Sequence, residues 1–412
     1  MELQPNHVFR PGSNEPSDMY IDRPELENEL RGTFDTDRAT LLIGGSGSGK
    51  SWLYKKCFET LKTEFLVVSV PRDYSESLNA VFDRELGKLG EKRVSSTERS
   101  TGFSFLTKVL GFTSDKRQLV TERGEDVLLR LASTIRKRAN RRKACLVLEN
   151  AEQGLANPQF LIDLSNIVMA ITERPLVDTE VKLLIVSADD SLRRELTKLS
   201  NSEPVMRRLR ALDEVGSFSD DQAREFLTRG FVRKLNFEIQ DMSRLVQSCR
   251  NSTDLRPDYM HDYCLKLGTV GLKHSKRIDD EVIAIADKQW ATTRLKPYVD
   301  RVVAFMNQMD TKKRVRDKVL FALAEQDGSS DFTAMNVLDL VRKCHPQFTF
   351  TQSDVSTALN KLSLRKSGSP EPLLEKAGED RNPTYSFRGP MERIAVLFAL
   401  QRDGDKITRK KL

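Results

Sequence analysis

Eight consecutive residues restrict this chain more than any others: Gly44-Gly45-Ser46-Gly47-Ser48-Gly49-Lys50-Ser51. They satisfy G-x-x-x-x-G-K-[ST] and stand between a compact apolar run, ATLLIG, and a segment of helical spacing, SWLYKKCFETLK. A glycine-rich turn between strand and helix has a physical use. Its glycines let backbone N–H groups converge on one point, and the helix directs its positive N-terminus there. Lys50 adds a charge for the β and γ oxygens of a triphosphate, and Ser51 offers a hydroxyl oxygen to a divalent cation. ATP and Mg2+ are therefore the expected ligands, with Gly44 to Gly49, Lys50 and Ser51 around the phosphates and Ser51 on the metal. A flexible Gly/Ser turn is the bland alternative, and the strand before and helix after it count against that.

Three further runs, LVVSV, ACLVLEN and KLLIVSA, begin at residues 66, 144 and 182. Short continuous runs of Leu, Val and Ile are what strands look like when both faces are covered. Helically spaced stretches separate them, so the expected class is α/β, a mainly parallel sheet with crossover helices. A short helix is expected at about 23–34, after Tyr20-Ile21-Asp22. Residues 88–123 break the alternation and read as an insertion. From about 218 the strands cease, and SDDQAREFLTRGFV opens a helical region with Ser219 as N-cap. A chain of 412 residues exceeds the roughly 250–300 at which one core stops growing. Four regions are expected: a flexible arm at 1–18, a P-loop core at 19–217, a helical lid at 218–293 and a C-terminal domain at 294–412.

A P-loop needs an acid at the end of a neighbouring strand to hold its metal, and the run KACLVLENAEQ ends in Glu149. The next position, where a carboxylate would activate water, carries Asn150, whose amide takes no proton at neutral pH. General-base help is worth about 10² to 10⁴ in rate, so slow turnover is expected unless Glu152 reaches the water. A cap or surface carboxylate is the other reading of Glu152. Ser187, ending the fourth run, stands where a polar sensor of the γ-phosphate would. Arg207, Arg208 and Arg210 follow, and Arg208 is preferred among them as a finger reaching across a subunit boundary. Three arginines in four positions also describe a solvated face. Arg256, before Pro257, starts the helix PDYMHDYC and is expected to face the nucleotide.

IDRPELENEL, GGSGSGKS, LVLENAE, LLIVSADD, the Arg-rich turn and SFSDDQAREFL together resemble the AAA+/STAND group of P-loop ATPases, particularly the bacterial and archaeal proteins akin to origin-recognition initiators. The resemblance covers about residues 18–290, with a further match at the C-terminus. It implies an ATP-driven switch in which Tyr20 and Ile21 flank the adenine, Lys50 and Ser51 hold phosphate and metal, and the lid closes over them. Asn150 and the absent sensor asparagine depart from the fully hydrolytic pattern and put rapid cycling in doubt.

The C-terminal region carries the charge. Arg294 onward holds 22 Lys+Arg against 15 Asp+Glu, and the preceding residues hold 45 of each, so the whole excess of +7 lies there. A polyanion is the partner this suggests, although solubility alone can account for it. KKRVRDKVLFALAEQ, NVLDLVRKC and TQSDVSTALNKLSLRK read as three amphipathic helices, and PLLEKAGEDRNPTYSF as two short strands around a polar tip. That order is a winged helix. Its third helix has Thr351 as N-cap, with Val355, Leu359 and Leu362 inward. Gln352, Ser353, Ser356 and Asn360 are the candidates for base edges, and Lys361, Arg365, Lys366 and Arg381 for phosphates. A docking module for a protein is the alternative.

The five cysteines are odd in number and scattered, and read as reduced core thiols. His261 and Cys264, one helical turn apart, are read as packing rather than as zinc ligands. No apolar run reaches the roughly 18 residues of a membrane span, and the opening MELQPNHVFRPGSNEP matches no export signal, so a cytoplasmic protein without a membrane role is expected. The expected function is an ATP-binding, slowly hydrolysing switch. It couples nucleotide-dependent homo-oligomer assembly to DNA binding and recruitment of a protein partner, as in initiation, transposition or anti-phage defence. The alternative is a STAND-like signalling ATPase whose winged helix docks a protein instead of DNA.

Overall fold

A computed structural model describes residues 3–71, 74, 76–90, 127–306, 313–326, 331–364, 370–378, 383–403 and 406–409. Most of the expected insertion at 88–123 lies outside the described residues, as do Arg365, Lys366 and Arg381. The chain forms two compact units, Asn14–Gly216 and Met1–Ser13 with Ser217–Leu412.

The first unit is built on five parallel strands: β1 (Ala39–Ile43), β2 (Glu64–Ser69), β3 (Ala144–Glu149), β4 (Val181–Ser187) and β5 (Leu209–Ala211). Their order across the sheet is β2-β3-β4-β1-β5. The apolar runs follow from burial on both faces. Leu41 and Ile43 of β1 enter one core with helices α3 (Leu78–Lys88), α4 (Val127–Ala139) and α5 (Pro158–Ala170). Leu42, between them, enters the opposite core with α1 (Pro24–Thr36) and α2 (Lys50–Thr60). With a side-chain period of two, a strand covered on both sides leaves few positions for polar residues, Thr40 being the one in β1. In register, Ile43 stands beside Ser187, and Ser69 beside Glu149. The ends of β1, β3 and β4 thus share one edge, the edge at which open parallel sheets hold ligands. β5 pairs with the other end of β1, Leu209 beside Ala39.

In the second unit, α6 (Asp220–Leu227) starts as expected at a capping box, with Ser219 Oγ accepting from Gln222 N. It runs into a π-helical turn, Thr228–Lys234, and is followed by α7 (Met242–Thr253), α8 (Pro257–Lys273) and α9 (Asp280–Thr293). Two short parallel strands, Glu238–Ile239 and Arg277–Ile278, pair within this otherwise helical region. The opening segment, expected as a flexible arm, packs instead over residues 3–13. Phe9 is fully buried, with its ring 4.8 Å from Phe231 and 5.7 Å from Phe226. One large aromatic is enough to anchor a segment that lacks periodicity. Asn14 and Glu15 belong to the first unit, where Lys55 Nζ donates to both.

The regions expected to divide at residue 294 belong to one unit. Helix α10 (Lys296–Phe305) follows α9 after two residues. Then come α11 (Val315–Ala324), α12 (Ala334–Cys344) and α13 (Gln352–Ser363). The strands Leu374–Ala377 and Thr384–Phe387 pair antiparallel, and Phe332–Thr333, just before α12, joins as a third strand. The last described elements are α14 (Pro390–Ala399) and a hairpin of Leu400–Asp403 with Lys406–Arg409. No helix among the described residues is long and apolar enough to cross a membrane.

Candidate nucleotide-binding site

The turn after β1 depends on its glycines. Gly47 and Gly49 have φ of 77° and 89°, the left-handed region where a Cβ is costly. A Cβ on Gly44 would lie 2.5 Å from the Val215 carbonyl oxygen and 2.9 Å from Ser48 Oγ. Lys50 folds back over the loop, its ammonium donating to the carbonyls of Gly44 and, at 3.2 Å, Gly45. Ser48 is fully buried and its hydroxyl has no hydrogen-bond partner among the described residues. A buried orphan hydroxyl in the loop that Lys50 folds over is consistent with a turn shaped for an oxyanion.

Ser51, on the first turn of α2, donates to Glu149 Oε1 at 2.8 Å. The two expected metal-side residues are thereby brought together although β4 separates their strands. A hydroxyl beside a carboxylate forms a hard oxygen donor set that suits Mg2+. Tyr54, which the sequence reading did not single out, also donates to Glu149 Oε1, at 2.9 Å. Ser51 and Tyr54 are three residues apart and share a helix face, which the sequence does show, but nothing in it marks Glu149 as the partner of that face.

Asn150 follows Glu149 with φ 58° and ψ 39°, and its Nδ2 donates to Ser69 Oγ at 2.8 Å. Asparagine tolerates this left-handed conformation better than most residues. Glu152 lies in the short helical turn Ala151–Gly154. Its Oε2 accepts from Ala188 N at 3.0 Å, linking the turns that follow β3 and β4. Ser187 is buried beside the loop, with its carbonyl accepting from Gly44 N at 3.2 Å and its hydroxyl donating to Asp189 O at 3.0 Å.

Tyr20 and Ile21 are buried, and the Tyr20 hydroxyl donates to Glu27 Oε1 at 2.8 Å. Burial, then the Glu27 carboxylate, raise the Tyr20 pKa. Nearby Arg23, lowered to about 10 by burial, donates to Gly216 O at 3.1 Å. Arg208 precedes β5 and so stands toward the end of β1 opposite the P-loop. Its guanidinium donates to Thr172 Oγ1 at 2.9 Å and Pro204 O at 3.1 Å, and lies 3.7 Å from Glu173. Arg207 pairs with Glu203, and Arg210 is exposed.

In the second unit, Arg256 is the N-cap of α8, and its Nε lies 3.8 Å from Asp254 Oδ2. On α13, Thr351 caps the helix and Val355, Leu359 and Leu362 face inward. Gln352, Ser353 and Lys361 are exposed, while Ser356 and Asn360 are half-buried. Asn360 Oδ1 accepts from the Tyr385 hydroxyl at 3.1 Å.

Residues 33–196, which contain this loop and both strand ends, match the family model described as an AAA domain. The fold is similar to that of the Walker-type ATPase PABY2304 of Pyrococcus abyssi, with TM-score 0.51 and 15% identity over 92% of this chain and 96% of that one. At that identity the likeness is one of fold. The Aeropyrum pernix ORC1 protein in complex with DNA gives TM-score 0.45 and 15% identity, covering 95% of this chain and 96% of that one. Cdc6p of Pyrobaculum aerophilum gives 0.42 and 15%, covering 95% and 97%. No curated protein matches the chain.

Proposed function

We propose that the chain is an ATP-binding, slowly hydrolysing switch whose copies assemble when nucleotide is bound, and whose C-terminal domain binds DNA and recruits a protein partner. The observation that carries it is the convergence, beside the glycine loop, of Ser51 and Glu149 at 2.8 Å with Lys50 above the loop carbonyls. Lys50 exchanges those carbonyls for phosphate oxygens, a stronger, charge-assisted partner. Ser51 and Glu149 would hold Mg2+, which would supply positive charge to offset that of the phosphates. Ser187 lines the floor of the loop, and Tyr20 and Ile21 are assigned to the base. Asn150, held on Ser69, orients water without deprotonating it, so turnover is slow. Glu152 has one oxygen engaged by Ala188 and is the remaining carboxylate for that task.

Arg208 is assigned to the nucleotide of a neighbouring copy, because β5 pairs with the start of β1 while the loop follows its end. Arg256 is assigned to sensing nucleotide state. Moving such a switch from 1:99 to 99:1 takes about 5.5 kcal/mol of differential binding. The order helix, strand, helix, helix, hairpin in residues 315–387 supports a winged helix, and the exposure of Gln352, Ser353 and Lys361 supports DNA as its ligand. The role is of the initiation, transposition or anti-phage defence type.

Titration with ATP and Mg2+ tests the site: Lys50→Ala is expected to lose at least about tenfold in affinity while remaining folded. Wild-type affinity in that variant would overturn the assignment. DNA retention at rising salt tests the C-terminal domain. Affinity is expected to fall steeply, and replacing Lys361, Arg365 and Lys366 by alanine to flatten the slope. Absence of DNA binding at low salt would favour the STAND-like reading, in which this domain docks a protein.

A further inference from the structure

We propose that Tyr54 is a positioning residue for Glu149: it holds one carboxylate oxygen from inside the core, so that the other is presented to the Mg2+ assigned to Ser51 and Glu149. The inference rests on the reading of this site as one for ATP with Mg2+. Tyr54 and Ser51 approach Glu149 from the same face of α2 and donate to the same atom, Oε1, at 2.9 and 2.8 Å. Oε2 makes no hydrogen bond among the described residues. The carboxylate is therefore fixed at one end and open at the other.

Three further observations give Tyr54 this role rather than one of packing alone. The side chain is fully buried, yet its single polar atom meets a carboxylate at the ligand edge of the sheet. A phenol so buried is costly unless its O–H is satisfied, and a carboxylate is the strongest acceptor available. The ring itself cannot swing: Phe58 lies 5.5 Å away on one side, and Phe65 meets it edge-on at 6.1 Å and 87°. Finally, glutamate has one more side-chain torsion than aspartate, and each unfixed torsion spreads the carboxylate over several rotamers. Tyr54 removes that freedom before ligand arrives.

The experiment measures ATP affinity of the full chain as a function of Mg2+, and again in EDTA, for wild type and Tyr54→Phe. The substitution keeps the ring and deletes the O–H. The half-saturating Mg2+ concentration is expected to rise about five- to tenfold, the net worth of one ordinary intramolecular hydrogen bond, while affinity in EDTA stays within about twofold. In a Glu149→Gln background the same substitution is expected to leave the Mg2+ midpoint where it was. An unchanged midpoint in Tyr54→Phe, an equal loss with and without Mg2+, or an additive effect in the Glu149→Gln background would each overturn the positioning role. A wild-type chain that binds ATP with no dependence on Mg2+ would remove the reading of the metal site, and this proposal with it.

Discussion

Replacing Asn150 by glutamate sets two effects against each other. The position has φ 58°, which costs an ordinary L-residue about 1–2 kcal/mol, and the change also removes the hydrogen bond to Ser69. Against this, a carboxylate supplies a proton acceptor next to Glu149, worth about 10² to 10⁴ in rate where geometry permits. Asn150→Glu is therefore expected to hydrolyse ATP at least about tenfold faster while losing about 1–2 kcal/mol in urea denaturation. Stability lost with turnover unchanged would give the role to Glu152 or deny catalysis here. The amide's chemistry was legible in the sequence; its backbone conformation was not. That conformation is imposed by the turn that carries the chain from β3 into Ala151–Gly154, and Asn is a residue type that tolerates it. Tyr54 was hidden differently. Four residues beyond Lys50 it looks like any core aromatic, and only the meeting of α2 with β3 gives its hydroxyl a target.

Among elements, legibility followed burial. β1, β3 and β4 were readable because cover on both faces leaves apolar runs, α6 and α13 because each begins at a capping residue followed by helical spacing, and α12 from its amphipathic spacing alone. Phe332–Thr333 was not, since two residues show no alternation. Nor was the docking of the opening segment, whose contacts are made with residues more than two hundred positions away. That docking carries a pH dependence. Arg10 N donates to His261 Nδ1 at 3.2 Å, and Phe9 and Phe226 meet the imidazole at 6.3 and 4.9 Å. Burial pushes the His261 pKa down to about 4. Below about 6.5 the unfolded chain takes a proton that the folded imidazole refuses, so stability is full above 6.5 and falls as pH drops toward 4. The loss is on the order of 3 kcal/mol at its limit. Urea denaturation across this window is expected to show the decline in wild type and to lose His261's share of it in His261→Gln. Equal slopes in the two proteins would refute the argument.

At the scale of the molecule, the change of unit at 216/217 was visible as the place where apolar strand runs stop. The boundary expected at 294, where a further helical region begins, falls within the second unit, and α9 and α10 are only two residues apart. The sheet order has the larger bearing on behaviour. Arg208 leads into the strand that pairs with the start of β1, while the phosphate loop follows its end; on the proposed assignment of Arg208 to a neighbouring nucleotide, each copy would hold two half-sites facing different neighbours. Two crippled chains should then repair one another. Lys50→Ala and Arg208→Ala, each inactive alone, are expected on mixing to recover roughly a quarter of wild-type turnover, the share of contacts where an intact loop meets an intact arginine. Turnover per chain is likewise expected to climb with protein concentration, so that crowding itself becomes the signal to which the molecule responds.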